Sequence, residues 1–120
     1  GDLMLYYRLE DKILPSDVLV YQKDGKQFVG RVIGQPGDVI NIPDEGGLMI
    51  NGNLQIEDGI FYDTRPYDTE AVRYPITLKD DEYFIMADMR SGAKDSRLFG
   101  AVNKKEIKGK VITILRRSSL

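Results

Sequence analysis

The sequence predicts an all-β domain that is mostly antiparallel, part sandwich and part barrel, with little helix. Three observations lead to this prediction: short runs rich in β-branched and aromatic residues recur along the chain, turn-forming residues separate them, and only one stretch has the signature of a helical turn. A chain of 120 residues is long enough for one small domain and too short for two. We therefore interpret residues 1–120 as a single domain.

The first predicted strand opens the chain, where Leu3, Leu5 and Tyr7 alternate with Met4 and Tyr6. This period of two is typical of a strand with two unlike faces. Eight further runs are predicted as short strands: residues 18–22, 27–33, 39–42, 48–50, 60–62, 76–78, 83–86 and 110–115.

The turns between these runs carry residues that tolerate a positive φ. Asp24-Gly25 and Asn51-Gly52 lie between apolar runs and predict tight hairpin tips. Residues 103–108 predict the one short helical turn, because Asn103 is a capping residue and is followed three residues later by Glu106.

Residues 57–75 differ from the rest of the chain, because they mix acidic, basic, tyrosine and proline residues with little periodicity. We interpret this segment as a surface excursion of the domain. Its tyrosines, Tyr62, Tyr67 and Tyr74, either anchor the segment to the edge of the core or form a recognition surface, and we favour the anchoring role.

The composition excludes several kinds of chemistry. The chain has no cysteine and no histidine, so it cannot form a disulfide framework, a cysteine nucleophile, a Ser-His dyad or the usual zinc sites. Its net charge of -2 gives no basic field that would bind nucleic acid. We expect no metal, no cofactor and no nucleic-acid partner, and a hydrolase of this composition would need a lysine or a carboxylate as its base.

Two sequence blocks are too particular to follow from β-patterning alone. Residues 30–38 read GRVIGQPGD, and residues 87–100 read ADMRSGAKDSRLFG. The first resembles the K-R-V-I-G-x-P-G-D block of the type I signal peptidase family, and the second is similar to that family's G-D-N-R-x-x-S-x-D-S-R-x-x-G block. Residues 15–21 and 100–111 are also similar to family blocks, in the family's order. The resemblance spans nearly the whole chain and implies the signal-peptidase β-domain fold.

The resemblance also implies a Ser-Lys site, in which a buried neutral lysine amine takes the proton of a serine. Gly30 stands at the position of that lysine, and Ala93 stands at the position of a serine whose hydroxyl orients the amine. We therefore expect both to be vestigial positions, no catalytic residue in this chain, and a pseudo-enzyme in place of an active peptidase. The alternative is an active serine endopeptidase with an engineered change at Gly30 or an unorthodox general base.

The second block holds charged and hydroxyl residues that the resemblance places in a loop near the site. Carboxylates and guanidiniums form bidentate, charge-assisted hydrogen bonds, and such bonds can hold a loop without any catalytic demand. We interpret the set as structural, with a remnant of an active-site surround as the alternative. The set comprises Asp88, Arg90, Asp95, Ser96 and Arg97.

In the family, the substrate lies extended between the first strand and the strand that carries the lysine. An unpaired strand edge binds an extended peptide through main-chain hydrogen bonds, and this needs no catalytic side chain. The resemblance therefore implies a candidate peptide-binding groove along these two strands. Its residues are Leu3, Leu5, Tyr7, Gln27, Phe28, Val29 and Gly30.

The resemblance further implies a location and partners. We expect an N-terminal membrane anchor and the nucleophile segment to precede Gly1, and the domain to lie on the outer face of the cytoplasmic membrane. The chain also resembles the signal-peptidase-like accessory proteins of Gram-positive pilus assembly, which implies an assembly factor or chaperone for exported surface proteins. The partners implied are an exported protein or pilin subunit and a sortase. Self-association through the edge of the first strand is a further alternative.

Overall fold

The computed structural model describes residues 3–8, 12–56, 64–67 and 71–116. Short strands dominate this part of the chain, with one short helix and one 3-10 turn. In chain order the elements are β1 (Leu3–Arg8), β2 (Val18–Lys23), β3 (Lys26–Gly34), β4 (Val39–Asn41), β5 (Met49–Ile50), β6 (Asn53–Leu54), β7 (Ile76–Thr77), β8 (Glu82–Met86), α1 (Ser96–Phe99), β9 (Val102–Asn103), the 3-10 turn (Lys104–Glu106) and β10 (Ile107–Arg116).

The strands form two sheets. A six-stranded sheet has the order β1-β10-β2-β3-β8-β9, and a four-stranded sheet has the order β6-β5-β4-β7. Neighbouring strands in both sheets pair antiparallel. The larger sheet curls into half of a barrel, and the smaller sheet forms a second body beside it. The predicted fold class, mostly antiparallel all-β with little helix, is confirmed.

Both predicted hairpin tips are confirmed. Asp24 and Gly25 have φ values of 51° and 77° and join β2 to β3, whose register closes at Lys23 opposite Lys26. Asn51-Gly52 joins β5 to β6 with φ values of 53° and 83°. Two consecutive residues with positive φ give a turn whose twist matches that of the flanking strands.

The core consists of two apolar clusters that meet at β8. Tyr83 and Ile85 pack into the first cluster, whereas Phe84 and Met86 pack into the second. Because successive side chains of a strand point to opposite faces, the run of four apolar residues in β8 is buried on both faces. The first cluster also contains Ile13, Leu19, Tyr21, Val32 and Val102, and the second contains Ile40, Ile42, Leu48 and Leu78.

The structure differs from the sequence-based prediction mainly in short elements. The last strand begins three residues earlier than expected, and the sequence does not predict α1, β6 or β9, because these elements of two to four residues carry no apolar run of their own. The predicted helical turn is present as the 3-10 turn, with both capping-box bonds between Asn103 and Glu106. The predicted strand at residues 60–62 lies outside the described residues. No helix in the described part of the chain is long and apolar enough to cross a membrane.

Candidate functional site

Gly30, the position that resembles the lysine of the family, lies in the middle of β3 and is buried. It pairs with Leu19 of β2 and faces the first apolar cluster. A Cβ atom built on Gly30 would lie 2.7 Å from Cγ2 of Ile85 and 3.2 Å from the carbonyl oxygen of Met86. In this conformation a side chain at position 30 would require Ile85 to move.

The nine lysines of the chain all belong to the described residues, and none is buried in apolar surroundings. Lys23 pairs with Glu106 at 2.9 Å, and Lys110 pairs with Asp17 at 3.0 Å. The other seven are exposed, including Lys26, four residues before Gly30, and Lys94, which lies within the second block. Since a lysine becomes a general base through desolvation, no lysine of the chain is placed for that role in this conformation.

One edge of β3 is open beside Gly30. The pairing of β3 with β8 starts at Arg31, so within the described residues Lys26–Gly30 has a strand partner only on the β2 side. In a two-residue hairpin the closing pair is hydrogen-bonded and the bonding alternates from there. With Lys23 and Lys26 as that closing pair, the main-chain N–H and C=O groups of Gln27 and Val29 point away from β2, towards the open edge.

The two strands of the predicted groove are not neighbours, because β10 and β2 lie between β1 and β3 in the sheet. Leu3, Leu5 and Tyr7 lie on the edge strand β1, where their backbone pairs with Arg116, Ile114 and Val111 of β10. On β3, Gln27 and Val29 are exposed, Phe28 is half-buried and Gly30 is buried. The peptide-binding role of this set stays a prediction.

The loop that follows β8 contains a buried ion pair. The Arg97 guanidinium donates from Nε to Oδ1 of Asp95 at 3.0 Å and from Nη2 to Oδ2 at 2.8 Å. The same carboxylate caps α1 by accepting the backbone N–H of Arg97, and it also accepts the N–H of Ala87. A charge that is taken out of water needs compensating bonds of this kind, which here bring the two ends of the loop together.

Arg90 links this ion pair to the rest of the domain. Its Nε donates to the carbonyl of Ala87 at 2.8 Å and its Nη1 donates to Oγ1 of Thr64 at 2.7 Å. Its own carbonyl accepts Nη1 of Arg97 at 2.7 Å. The two arginines are 2% and 1% exposed, so their donors are satisfied inside the protein and hold the loop in one shape.

Ser96 and Asp88 fix the loop to the large sheet. The Ser96 hydroxyl accepts the backbone N–H of Ile85 at 2.9 Å, inside the core. Asp88 accepts Nε and Nη2 of Arg31 at 2.9 and 2.8 Å, directly beside Gly30. These hydrogen bonds hold the pKa of Asp88 below its usual range, against the opposing effect of partial burial. These are contacts within the fold, and the role of the five loop residues beside the site stays a prediction.

Tyr67 and Thr64 complete the arrangement and were not predicted as site residues. The Tyr67 hydroxyl donates to the carbonyl of Ala93. The Tyr67 ring covers the Arg97 guanidinium, whose central carbon lies 4.5 Å from the ring centroid. Ala93, the position that resembles the lysine-orienting serine, is half-buried, and the bond from Tyr67 holds it through its backbone carbonyl. The signal that could have found Tyr67 is its place in a tyrosine-containing excursion, for which an anchoring role was favoured.

Comparison with known proteins identifies the family. The family model described as "Signal peptidase, peptidase S26" matches residues 6–115. The chain belongs to this family. Among curated relatives, the probable signal peptidase I-2 of Synechocystis is 30% identical over 97 residues, which are 80% of this chain and 41% of that protein. Signal peptidase I S of Bacillus subtilis is 30% identical over 101 residues, covering 78% of this chain and 54% of that protein.

A crystal structure of a signal peptidase I from Enterococcus faecalis has the same fold. It superposes with a TM-score of 0.68 at 26% sequence identity, covering 88% of this chain and 100% of that chain. Against the curated signal peptidases, in contrast, the chain spans about half of their length.

The expectation of a pseudo-enzyme is overturned by these comparisons. It was inferred from Gly30 and Ala93 at the positions of the lysine and its orienting serine, but the relatives that match this chain are named signal peptidases, which are enzymes. The physical reason is that the residues at two positions, in a chain that spans about half the length of its curated relatives, do not decide which groups act at the site.

Proposed function

We propose that this domain recognises exported precursor proteins for cleavage, as a signal peptidase does, on the outer face of the cytoplasmic membrane. The family match over residues 6–115 carries the proposal. It is supported by the match to named signal peptidases and by the open edge of β3, which offers main-chain groups to an extended peptide.

The open edge suits a substrate that is recognised by shape more than by sequence. Gln27 and Val29 would each offer one N–H donor and one C=O acceptor in a fixed line, to which a precursor segment adds as another strand. Val29 is 42% exposed and would contact an apolar side chain of that segment. The aromatic pair Phe28 and Tyr21 supports the strand from the opposite face.

For cleavage, the nucleophile and the general base would have to come from outside the loop and strand residues described above. Gly30 supplies no amine, and every lysine of the chain is exposed or paired with a carboxylate. The domain's own contribution would be to bind and orient the scissile segment, which alone removes a large part of the entropic barrier.

The recognition step is tested by changing main-chain donors. Val29→Pro removes an N–H at the open edge without breaking the pairing with β2, because proline is tolerated where the N–H faces outwards. Val29→Thr keeps the N–H and is the matched control. In full-length protein reconstituted in liposomes, we expect Val29→Pro to weaken binding of a synthetic precursor peptide at least tenfold and Val29→Thr to preserve it.

The cleavage step is tested in the same preparation with an intact secretory precursor and mass spectrometry of the products. Release of a defined N-terminal fragment by the wild-type protein supports the proposal. Binding without any such release contradicts the cleavage step and leaves the recognition step standing.

A second candidate is a role in the assembly of exported surface proteins, such as sortase-assembled pili. The observation that favours it is the packing at Gly30, where Ile85 fills the place of a side chain while the main-chain edge stays open. Such a role needs binding and does not depend on hydrolysis. Pilin or sortase co-purification with full-length protein, lost in Val29→Pro and kept in Val29→Thr, would support it.

A further inference from the structure

We infer that residues 64–67 act as a strap across the loop after β8, and that Tyr67 is a positioning residue for the site beside Gly30. The inference rests on the proposed function for what the site binds. It rests on contacts of the described residues for the strap itself.

The strap is fixed at its first residue. The Thr64 carbonyl accepts the N–H of Gly47 at 2.7 Å, which joins the strap to the turn before β5. The Thr64 hydroxyl accepts Nη1 of Arg90 at 2.7 Å, and Thr64 is 4% exposed. A buried hydroxyl with this partner is costly to displace, so this end of the strap is firmly placed.

Tyr67 forms the second attachment. Its hydroxyl donates to the carbonyl of Ala93, and its ring lies over the Arg97 guanidinium at 4.5 Å. The ring shields the buried ion pair from water, while the hydroxyl holds the main chain at Ala93. One side chain thus acts on two separate points of the same loop.

The loop transmits this restraint to β3. Asp88 lies two residues after the end of β8 and five before Ala93, and it is held to Arg31 by two hydrogen bonds. Arg31 directly follows Gly30 and marks the point where the edge of β3 ceases to be open. Loosening the loop at Ala93 would therefore change the geometry next to the edge on which a peptide would bind.

The chain offers a matched pair of variants for the test. Tyr67→Phe keeps the ring over Arg97 and removes only the bond to Ala93. Tyr74→Phe removes a tyrosine hydroxyl from the same segment, but that hydroxyl is buried without a hydrogen-bond partner among the described residues. The two substitutions are chemically identical, but only Tyr67→Phe removes a hydrogen bond seen among the described residues.

The experiment measures amide hydrogen exchange of the full-length protein and, in parallel, its affinity for the synthetic precursor peptide. We expect Tyr67→Phe to speed exchange of the amides of Ala87 and Arg97, both bonded to the Asp95 carboxylate, about fivefold, the effect of one lost hydrogen bond. We also expect it to weaken peptide binding while lowering the melting temperature by no more than a few degrees, and we expect Tyr74→Phe to leave exchange and affinity as in the wild type.

The outcomes separate the strap from the proposed function. Exchange of the Ala87 and Arg97 amides that is equal in Tyr67→Phe and Tyr74→Phe overturns the strap. Faster exchange with unchanged peptide affinity overturns the positioning role of Tyr67. If the wild-type protein binds no peptide, the proposed function fails, and the exchange result still decides the strap.

Discussion

Asp95 and Arg97, two residues apart in sequence, form a bidentate ion pair in which both side chains are 1% exposed. The Asp95 carboxylate also accepts the backbone N–H groups of Ala87 and Arg97. A single carboxylate therefore joins the end of β8 to the start of α1. It fixes the path of the loop that lies between Gly30 and the strap.

Breaking this pair should destabilise the domain strongly. Asp95→Asn keeps the size of the side chain but leaves the Arg97 guanidinium as a buried charge without a counter-charge. Removing one partner of a buried pair costs about 3–5 kcal/mol. We expect a loss of that size in the free energy of unfolding, measured by urea denaturation at pH 7.

The matched control is the exposed pair of Asp88 and Arg31, whose side chains are 50% and 39% exposed. Asp88→Asn removes the same charge from a similar bidentate pair, and solvent screening reduces the expected loss to below about 1 kcal/mol. Equal losses in Asp88→Asn and Asp95→Asn would show that burial does not set the strength of these pairs.

The pair of Asp88 and Arg31 also predicts a pH dependence. The hydrogen bonds from Arg31 lower the pKa of Asp88 in the folded state. The unfolded state then takes up a proton first, so the stabilisation is present above about pH 4 and is lost as the pH falls through the lower folded pKa. The difference in unfolding free energy between wild type and Asp88→Asn should be constant from pH 7 to pH 5 and should shrink below pH 4. A difference that grows on acidification would contradict this assignment.

Local chemistry explains which parts of the fold and site could be predicted from the sequence. Asp24-Gly25 sets its turn by backbone conformation alone, and Asn103 with Glu106 sets the 3-10 turn by local capping, so both were predictable. The attachment of Tyr67 to Ala93 joins residues 26 positions apart, and no local pattern encodes such a contact. The charged residues of the loop are an intermediate case. The sequence indicated that their carboxylates and guanidiniums would pair, but it did not indicate which residues pair with each other.

The packing at Gly30 illustrates the same limit, because the motif indicated which side chain was absent and only the structure shows what fills its place. A methyl group at position 30 would approach Cγ2 of Ile85 to 2.7 Å. We expect Gly30→Ala to lower the free energy of unfolding by about 1–3 kcal/mol, the usual cost of overpacking a filled core. Ile85→Leu removes the branched methyl group at nearly constant volume, and the double variant should recover at least half of the loss.

Val29→Ala is the control for this experiment, because Val29 is the neighbouring residue of the same strand and is 42% exposed. It should change stability by less than about 1 kcal/mol, since little buried surface is lost. If Gly30→Ala is as mild as Val29→Ala, position 30 accepts a side chain without strain.

Tyr21 provides a test of the core at high pH. Its side chain is fully buried, its hydroxyl has no hydrogen-bond partner among the described residues, and desolvation together with the nearby Asp95 carboxylate raises its pKa. Because the folded state keeps the Tyr21 proton after the unfolded state has lost it, the wild type should lose stability above about pH 10, by up to about 1.4 kcal/mol per pH unit from this one group.

Tyr21→Phe removes that dependence and also removes an unpaired buried hydroxyl, so its unfolding free energy at pH 7 should equal or exceed that of the wild type. Urea denaturation of both proteins between pH 7 and pH 11 measures the difference. A variant that is clearly less stable at pH 7 would show instead that the hydroxyl has a hydrogen-bond partner in solution.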